Sequence, residues 1–361
     1  MKITGLRTRR VYIPFDEPIG TSIHRIEGVA GLLVWLDTDD GITGESYLWA
    51  IGQHRLPVLD AIVRMLGERL IGEDPRDTSA RFDDMWGEIN FLGHKGVSLF
   101  GIAAIDWACW DILARSLGVS VSRLLGRRRD RVRAYASGGL WASMPVEALQ
   151  AQAKDLVAEG FKAVKMRIGK PDIGEDVERV AAVREAVGPN IDLMADANQG
   201  LTVTHAIRLG RRLEDFGLAW FEEPVQAYDL EGSARVAAEI DTPVASGETE
   251  YGRYGFRDML ERKSADVLMP DLERVGGITE WMRVAAMAAA HDVPVSPHIF
   301  SEHSLQLCGA VSNVAYSEHM PWFAPLFQER MEMIDGDILI PDRPGFGFSF
   351  DPDAIERHAV A

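Results

Sequence analysis

From residue 131 to residue 318 the sequence alternates short apolar stretches with amphipathic ones, and that alternation restricts the chain to very few folds. Strand-like stretches lie at Val132–Ser137, Ala163–Ile168, Asp192–Asn198, Leu218–Glu222, Pro243–Glu248, Asp266–Asp271, Pro294–His298 and Val314–Glu318. Between them, Val146–Glu159, Glu175–Val187, Thr204–Phe216 and Thr279–His291 carry apolar residues at helical spacing. Eight strands alternating with helices in under 200 residues predict a parallel α/β barrel rather than an open sheet. An open dinucleotide-binding sheet wants a glycine-rich phosphate loop after its first strand. Residues Ser137–Trp141 read Ser-Gly-Gly-Leu-Trp and lack that fingerprint.

The residues before the barrel have a different pattern. Ile3–Pro14 and Ala30–Asp37 read as strands, Leu56–Leu70 and Gly96–Leu117 as helices, which together indicate an α+β domain over residues 1–130. The barrel then occupies 131–325. In the last segment, 326–361, Ile334–Pro341 reads as a turn joining two strands and Asp342–Gly347 as a loop, a tail expected to pack back on the N-terminal domain. A composition of 47% apolar and 26% charged residues is that of a globular protein. No apolar run is expected to reach the roughly 18 residues a membrane helix needs, and a cytoplasmic location is the expectation. The net charge of −17 argues against nucleic acid and anionic membranes as partners. It also means that an anionic substrate would have to be captured by local cations. Cys109 and Cys308 sit in apolar helical patterns and read as packing residues, not as a disulfide or a zinc site.

In such a barrel the chemistry sits at the C-terminal ends of the strands. Those ends carry Lys165 and Arg167, Asp196 and Asn198, Glu222, Glu248, Asp271, His298 and Glu318. Asp196, Glu222 and Glu248 are 26 residues apart each time, one barrel repeat, so neighbouring strands bring them together. One carboxylate at a strand end is commonly a helix cap. Three on successive strands repel one another unless a cation neutralises them, and hard oxygen ligands without His or Cys favour Mg²⁺.

These residues, with the N-terminal Ile-Thr-Gly-Leu-Arg-Thr-Arg stretch, Ile105–Asp111, and Gly276–Gly277 after Pro270–Asp271, resemble the enolase superfamily and within it the mandelate racemase subgroup. The resemblance runs over nearly the whole chain. It implies a (β/α)7β TIM-like barrel with an α+β cap completed by the tail, and a homo-oligomer between dimer and octamer. By the same likeness Asp196, Glu222 and Glu248 match Mg²⁺ ligands, Asp271 and His298 an Asp–His dyad, Glu318 an acid beside the substrate carboxylate, and Lys165 a carboxylate contact. The subgroup's second strand reads Lys-x-Lys, its second Lys being a base. Here that position is Arg167, a poor base because its guanidinium stays protonated. Arg167 is expected either to fix the substrate or to pair with a neighbouring acid.

The resemblance implies removal of the α-proton of a hydroxy-carboxylate by His298, oriented by Asp271 and with Mg²⁺ stabilising the enediolate. Glu318 is expected to be protonated and donating. With one competent base, β-elimination of water is favoured over racemisation, giving a 2-keto-3-deoxy acid: an acid-sugar dehydratase, a lyase. A racemase or epimerase, or a lactone cycloisomerase, is the alternative on the same scaffold. A hydrolase barrel would want His-x-His on its first strand, which Val132–Ser137 lacks, and the complete set of site residues speaks against a non-catalytic binding protein. Substrate contacts are expected from Asn198 and, in the cap loops, from His24, Arg25 and Trp49, with His54 and Arg55 nearby.

Overall fold

The computed structural model describes residues 1–361. Its N-terminal part is an antiparallel sheet of β1 (Ile3–Gly20), β2 (Arg25–Thr38) and β3 (Thr43–Ile51), packed against α1 (Leu56–Arg69), α2 (Thr78–Glu88) and α3 (Val97–Ser116). A short turn of helix, α4 (Val121–Leu124), leads into the barrel. Its strands are β4 (Arg131–Ala136), β5 (Ala163–Arg167), β6 (Asp192–Asp196), β7 (Leu218–Glu222), β8 (Val244–Ser246), β9 (Val267–Leu268) and β10 (Ser317–His319). The helices between them are α5 (Val146–Ala158), α6 (Ile173–Val187), α7 (Val203–Leu213), α8 (Leu230–Glu239), α9 (Gly252–Arg262), α10 (Leu272–Val275), α11 (Ile278–Ala290) and α12 (Ser301–Ala310).

Parallel pairing runs from β4 through β9, and β10 returns to β4. The strand expected at Pro294–His298 is reduced to single bridges, Leu268 to Val295, Val295 to Val314 and Asp271 to His298, which complete the ring. Pro270, Pro294 and Pro297 lack the N–H that a continuous ladder needs, so this side of the barrel is stitched at isolated points. The interior is filled by Tyr135, Ala163, Met194, Trp220, Ala245, Val267 and Met269, which form a single buried cluster. Tyr135 meets Trp220 edge-on at 5.3 Å. Alternate residues such as Val164, Met166 and Leu193 face the helices instead.

The tail has two destinations. The hairpin of β11 (Met333–Ile334) and β12 (Asp337–Leu339) pairs with β4 of the barrel, a contact additional to the expected packing of the tail on the cap. Its later part does reach the cap: Phe350 N–H donates to Glu45 at 3.3 Å, and Ala359, just after α13 (Pro352–His358), bridges to Val11.

The absence of any membrane-length apolar run also needs correcting. α3 passes by length and composition, yet 78% of its apolar window is buried in the protein. It carries Asp106 and Asp111, whose carboxylates accept from Thr279 N–H (2.9 Å) and from Glu45 N–H (3.0 Å). These bonds tie the cap's central helix to α11 and β3. At Gly277 (φ 95°) a Cβ would lie 2.6 Å from Asp106 Oδ2, so the Gly276–Gly277 pair permits this close approach. Cys109 and Cys308 are buried and unpaired.

Cap, barrel and tail meet in an aromatic cluster. Tyr47 of β3 and Trp107 of α3 surround His303 of α12 at 5.5 and 4.8 Å between ring centroids, with Phe346 of the tail at 5.0 Å. Burial among these rings, with Arg115 adding to it, lowers the His303 pKa from 6.5 to about 3. The folded protein therefore keeps His303 neutral, while the unfolded chain protonates it. The resulting stability is complete above pH 6.5 and is lost as pH falls toward 3. Between pH 7 and pH 5 the wild type should lose about 2 kcal/mol through this residue. Urea unfolding at the two pH values should show that loss reduced by a similar amount in His303→Phe.

Candidate active site

The interior cluster sets which side chains reach the barrel mouth. Two and four residues beyond Ala163 on the same face stand Lys165 and Arg167; two beyond Met194 and Trp220 stand Asp196 and Glu222. Arg167 registers with Asp196 and Asp196 with Glu222 across adjacent strands. Glu248 would fall on the wrong face by alternation, but Gly247 (φ 125°) turns the backbone and lets it line the mouth.

Lys165 is the centre of the buried charge. Its ammonium bonds Glu222 Oε1 and lies 3.2 Å from Glu318 Oε1 and 3.6 Å from Asp196 Oδ2. Burial opposes the charge, but the three carboxylates outweigh it and hold Lys165 protonated, well above its ordinary range. Burial raises Glu222, and repulsion from Asp196, Glu248 and Glu318 adds to it; one ammonium shared three ways does not offset this. Trp220 Nε1–H donates to Glu222 Oε2 at 2.7 Å. The Lys165 ammonium stands among the oxygens of Asp196, Glu222 and Glu318.

Glu318 corrects the expectation of a protonated, donating acid. Its burial pushes the pKa up, but Lys165, His298 and bonds from Ile299 N–H (2.6 Å) and Ser137 Oγ–H (2.6 Å) bring it down to about 2. It is ionised and accepts. Both terminal nitrogens of Arg167 are engaged: Nη1–H donates to the carbonyls of Ser137 (2.6 Å) and Gly139 (3.3 Å), Nη2–H to Ser137 Oγ (3.0 Å), while its buried Nε has no hydrogen-bond partner. Its guanidinium lies 4.3 Å from the Trp141 ring centroid and its Nε 3.6 Å from Asp196 Oδ2. It thus lies beside a neighbouring acid and also lines the cleft.

Asp271 caps α10 through Oδ1, accepting from Glu273 N–H (2.9 Å) and Arg274 N–H (2.8 Å). Its Oδ2 takes His298 Nδ1 at 2.7 Å and Arg274 Nη1–H at 3.1 Å. His298 Nε2 is thereby left facing Glu248 Oε2 at 3.5 Å. Burial lowers the imidazole pKa; Glu248, the Asp271 bond and Glu318 outweigh that, and the net shift is upward.

These groups open into one cleft of about 130 Å³ lined by Lys165, Arg167, Asp196, Asn198, Glu248 and His298, with His24 and Trp49 from the cap. Asn198 donates through Nδ2–H to Asp196 Oδ2 at 3.0 Å. The loop carrying His24 is docked on the barrel by Ser22 Oγ–H to the Ala197 carbonyl at 2.5 Å, and a Cβ on Gly200 would lie 2.6 Å from that hydroxyl. Arg25 is a correction: it stands 76% exposed, 4.0 Å from Glu27, and does not line the cleft. His54 and Arg55 are likewise exposed and outside it. Sequence reasoning missed Ser137, Arg274, Trp141 and Trp322. Ser137 and Trp141 lay in the segment searched only for a phosphate loop, and Trp322 follows the last strand, where no periodic signal points at the site.

Residues 3–126 match the mandelate racemase/muconate lactonizing enzyme N-terminal domain, and residues 148–354 the enolase C-terminal domain-like family. The chain belongs to this family of the enolase superfamily. It is 37% identical to a D-galactarolactone cycloisomerase of Agrobacterium fabrum, over 98% of each chain. It is 34% identical to an L-talarate/galactarate dehydratase of Salmonella typhimurium, over 90% of this chain and 82% of that one. An L-talarate dehydratase from Polaromonas, solved with Mg and L-glucarate, superposes with a TM-score of 0.93 at 34% identity, over 100% of this chain and 98% of that one.

Lys165→Met would leave Asp196, Glu222 and Glu318 without their internal cation. In chelator, unfolding by urea should show a loss of about 3–5 kcal/mol against the wild type, and millimolar Mg²⁺ should restore part of it.

Proposed function

We propose that this protein is a Mg²⁺-dependent acid-sugar dehydratase that removes the α-proton of a polyhydroxy carboxylate and expels the β-hydroxyl as water. In this reading residues 1–130 close over the barrel of residues 131–325. The observation that carries it is the single base. His298 keeps Nε2 available while Asp271 holds Nδ1 at 2.7 Å; Arg167 is tied to Ser137 and Lys165 is held protonated among carboxylates.

The donor set fits a hard divalent cation. Asp196, Glu222 and Glu248 are oxygen donors on adjacent strand ends, and an ammonium already occupies the space between two of them. These three would hold the ion, as the relatives solved with magnesium suggest. Bound there, Mg²⁺ supplies positive charge against the dianionic enediolate left when the α-proton departs.

The chain's own residues do the rest. Lys165 binds the substrate carboxylate as a fixed cation, and Glu318, ionised and accepting from Ser137 Oγ–H, holds Lys165 in place. His298 Nε2 takes the C2 proton, and Asp271 accepts from Nδ1–H and stabilises the imidazolium. The imidazolium then returns a proton to the departing C3 hydroxyl, so both steps use one face. Trp49 and Trp141 line the cleft and exclude water from the exchanging proton.

A lactone cycloisomerase is the second reading, favoured by the relative that matches over 98% of both chains. It begins with the same proton abstraction and differs in the leaving oxygen, which belongs to a ring. Exhaustive chelation should abolish turnover and Mg²⁺ should restore it. His298→Asn should lower kcat by at least ~10³. The assay is 2-keto acid formation from a panel of acid sugars; near-normal turnover by His298→Asn, or by metal-free enzyme, contradicts the reading.

A further inference from the structure

β3 is the edge strand of the cap sheet, so alternate N–H groups along it have no neighbouring strand to bond. Two of them, four residues apart, are taken by carboxyl groups. Glu45 N–H donates to Asp111 Oδ2 at 3.0 Å, a bond within the cap. Trp49 N–H donates to Glu273 Oε2 at 2.9 Å, and Glu273 belongs to the barrel, on the single turn α10. Both residues of that bond are nearly inaccessible, Trp49 at 8% and Glu273 at 2% exposure. Neither proton transfer nor carboxylate binding uses the Glu273 side chain.

The same turn is capped by the dyad acid. Glu273 N–H and Arg274 N–H donate to Asp271 Oδ1 at 2.9 and 2.8 Å, and Arg274 Nη1–H reaches Asp271 Oδ2 at 3.1 Å. Arg274 also lies over the Trp49 ring, its guanidinium carbon 5.7 Å from the centroid. Trp49 is therefore gripped twice from α10, its backbone by Glu273 and its indole by Arg274. That indole lines the cleft 6.5 Å from the His298 ring, which Asp271 holds through Nδ1 at 2.7 Å. Base, acid and cap wall thus form one closed circuit, in which Glu273 supplies a hydrogen bond that joins cap to barrel. Burial, with Asp271 beside it, raises the Glu273 pKa to about 8. Near pH 7 the group is a neutral acid, and glutamine keeps its accepting oxygen.

We infer that Glu273 is a positioning residue: by holding the Trp49 backbone it sets the indole wall beside His298 and keeps water from the proton the base has taken. This rests on the dehydratase reading above and adds to it the residue that couples the cap to the base. After abstraction the C2 proton sits on His298 Nε2, and two fates compete. It passes to the departing hydroxyl, or it exchanges with water and a solvent proton returns to C2. An indole packed beside the imidazolium favours the first. Without Glu273 a buried N–H of an edge strand has no partner, the strand end relaxes, and water reaches the imidazolium.

The experiment compares full-length, Mg²⁺-loaded wild type with Glu273→Gln and Glu273→Leu. Amide hydrogen exchange of β3, read by mass spectrometry, tests the clamp without turnover: Glu273→Leu should lose protection and Glu273→Gln should keep it. With an accepted acid sugar in D₂O, NMR then follows deuterium at C2 of the unreacted substrate against 2-keto acid formed. In Glu273→Leu that ratio should rise, and kcat fall, by at least ~10-fold with KM within ~3-fold, and Glu273→Gln should restore both. Thr279→Val removes a different cap–barrel hydrogen bond, Thr279 Oγ1–H to Asp106 Oδ1, and should leave the ratio unchanged. Trp49→Phe keeps the N–H bond but shrinks the wall, and it should raise the ratio even where Glu273→Leu is too unstable to assay. An unchanged ratio in Glu273→Leu or Trp49→Phe, or an equal rise in Thr279→Val, overturns the inference and leaves the dehydratase reading standing. If the wild type forms no 2-keto acid from any acid sugar, the dehydratase reading falls, and β3 protection alone decides whether Glu273 clamps Trp49.

Discussion

The interaction on which the site depends is the buried ammonium of Lys165 among the carboxylates of Glu222, Glu318 and Asp196. Four charged groups with almost no solvent exposure are tolerable only because they face one another. One ammonium faces three carboxyl groups, and Glu222 is shifted upward by its burial first and by repulsion from its acidic neighbours second. A divalent cation relieves the same imbalance. In the proposed reading, Lys165 and the metal share the oxygens of Asp196 and Glu222.

That cluster is held in place by the barrel's internal layer and by the cap. Ala163, Met194 and Trp220 set the face on which Lys165, Asp196 and Glu222 emerge. The aromatic junction of Tyr47, Trp107, His303 and Phe346 locks cap, barrel and tail together, so the cap wall that bears Trp49 has a fixed position over His298. The Ser22 hydroxyl, seated against Gly200, does the same for the loop that bears His24.

Much of this was legible in the sequence because strand alternation is a strict rule. The 26-residue spacing from Asp196 to Glu222 to Glu248 marked the strand ends, and the period of two placed Lys165 and Arg167 on one face. Legibility failed where partners, not periodicity, decide the outcome. Glu318 is a strand-end acid in sequence, but its ionisation follows from Ser137, Ile299 and Lys165 converging from three separate segments. Arg25 and His24 are neighbours in sequence, and only the turn closed by Thr21 decides which one faces the cleft: the Thr21 hydroxyl accepts from His24 N–H at 3.0 Å. The seventh strand was read as continuous, although its prolines already ruled out a full ladder.

The central claim is that one base, His298, acts on one face of the substrate while Arg167 is tied to the backbone of Ser137 and Gly139. The most direct measurement is proton NMR in D₂O with each C2 epimer of an accepted acid sugar, following deuterium at C2 and C3. One epimer should be dehydrated by syn elimination, with deuterium at C3 of the product in a single configuration, and the other should show no exchange at C2. Rapid C2 exchange of both epimers would demonstrate a second working base and contradict the account.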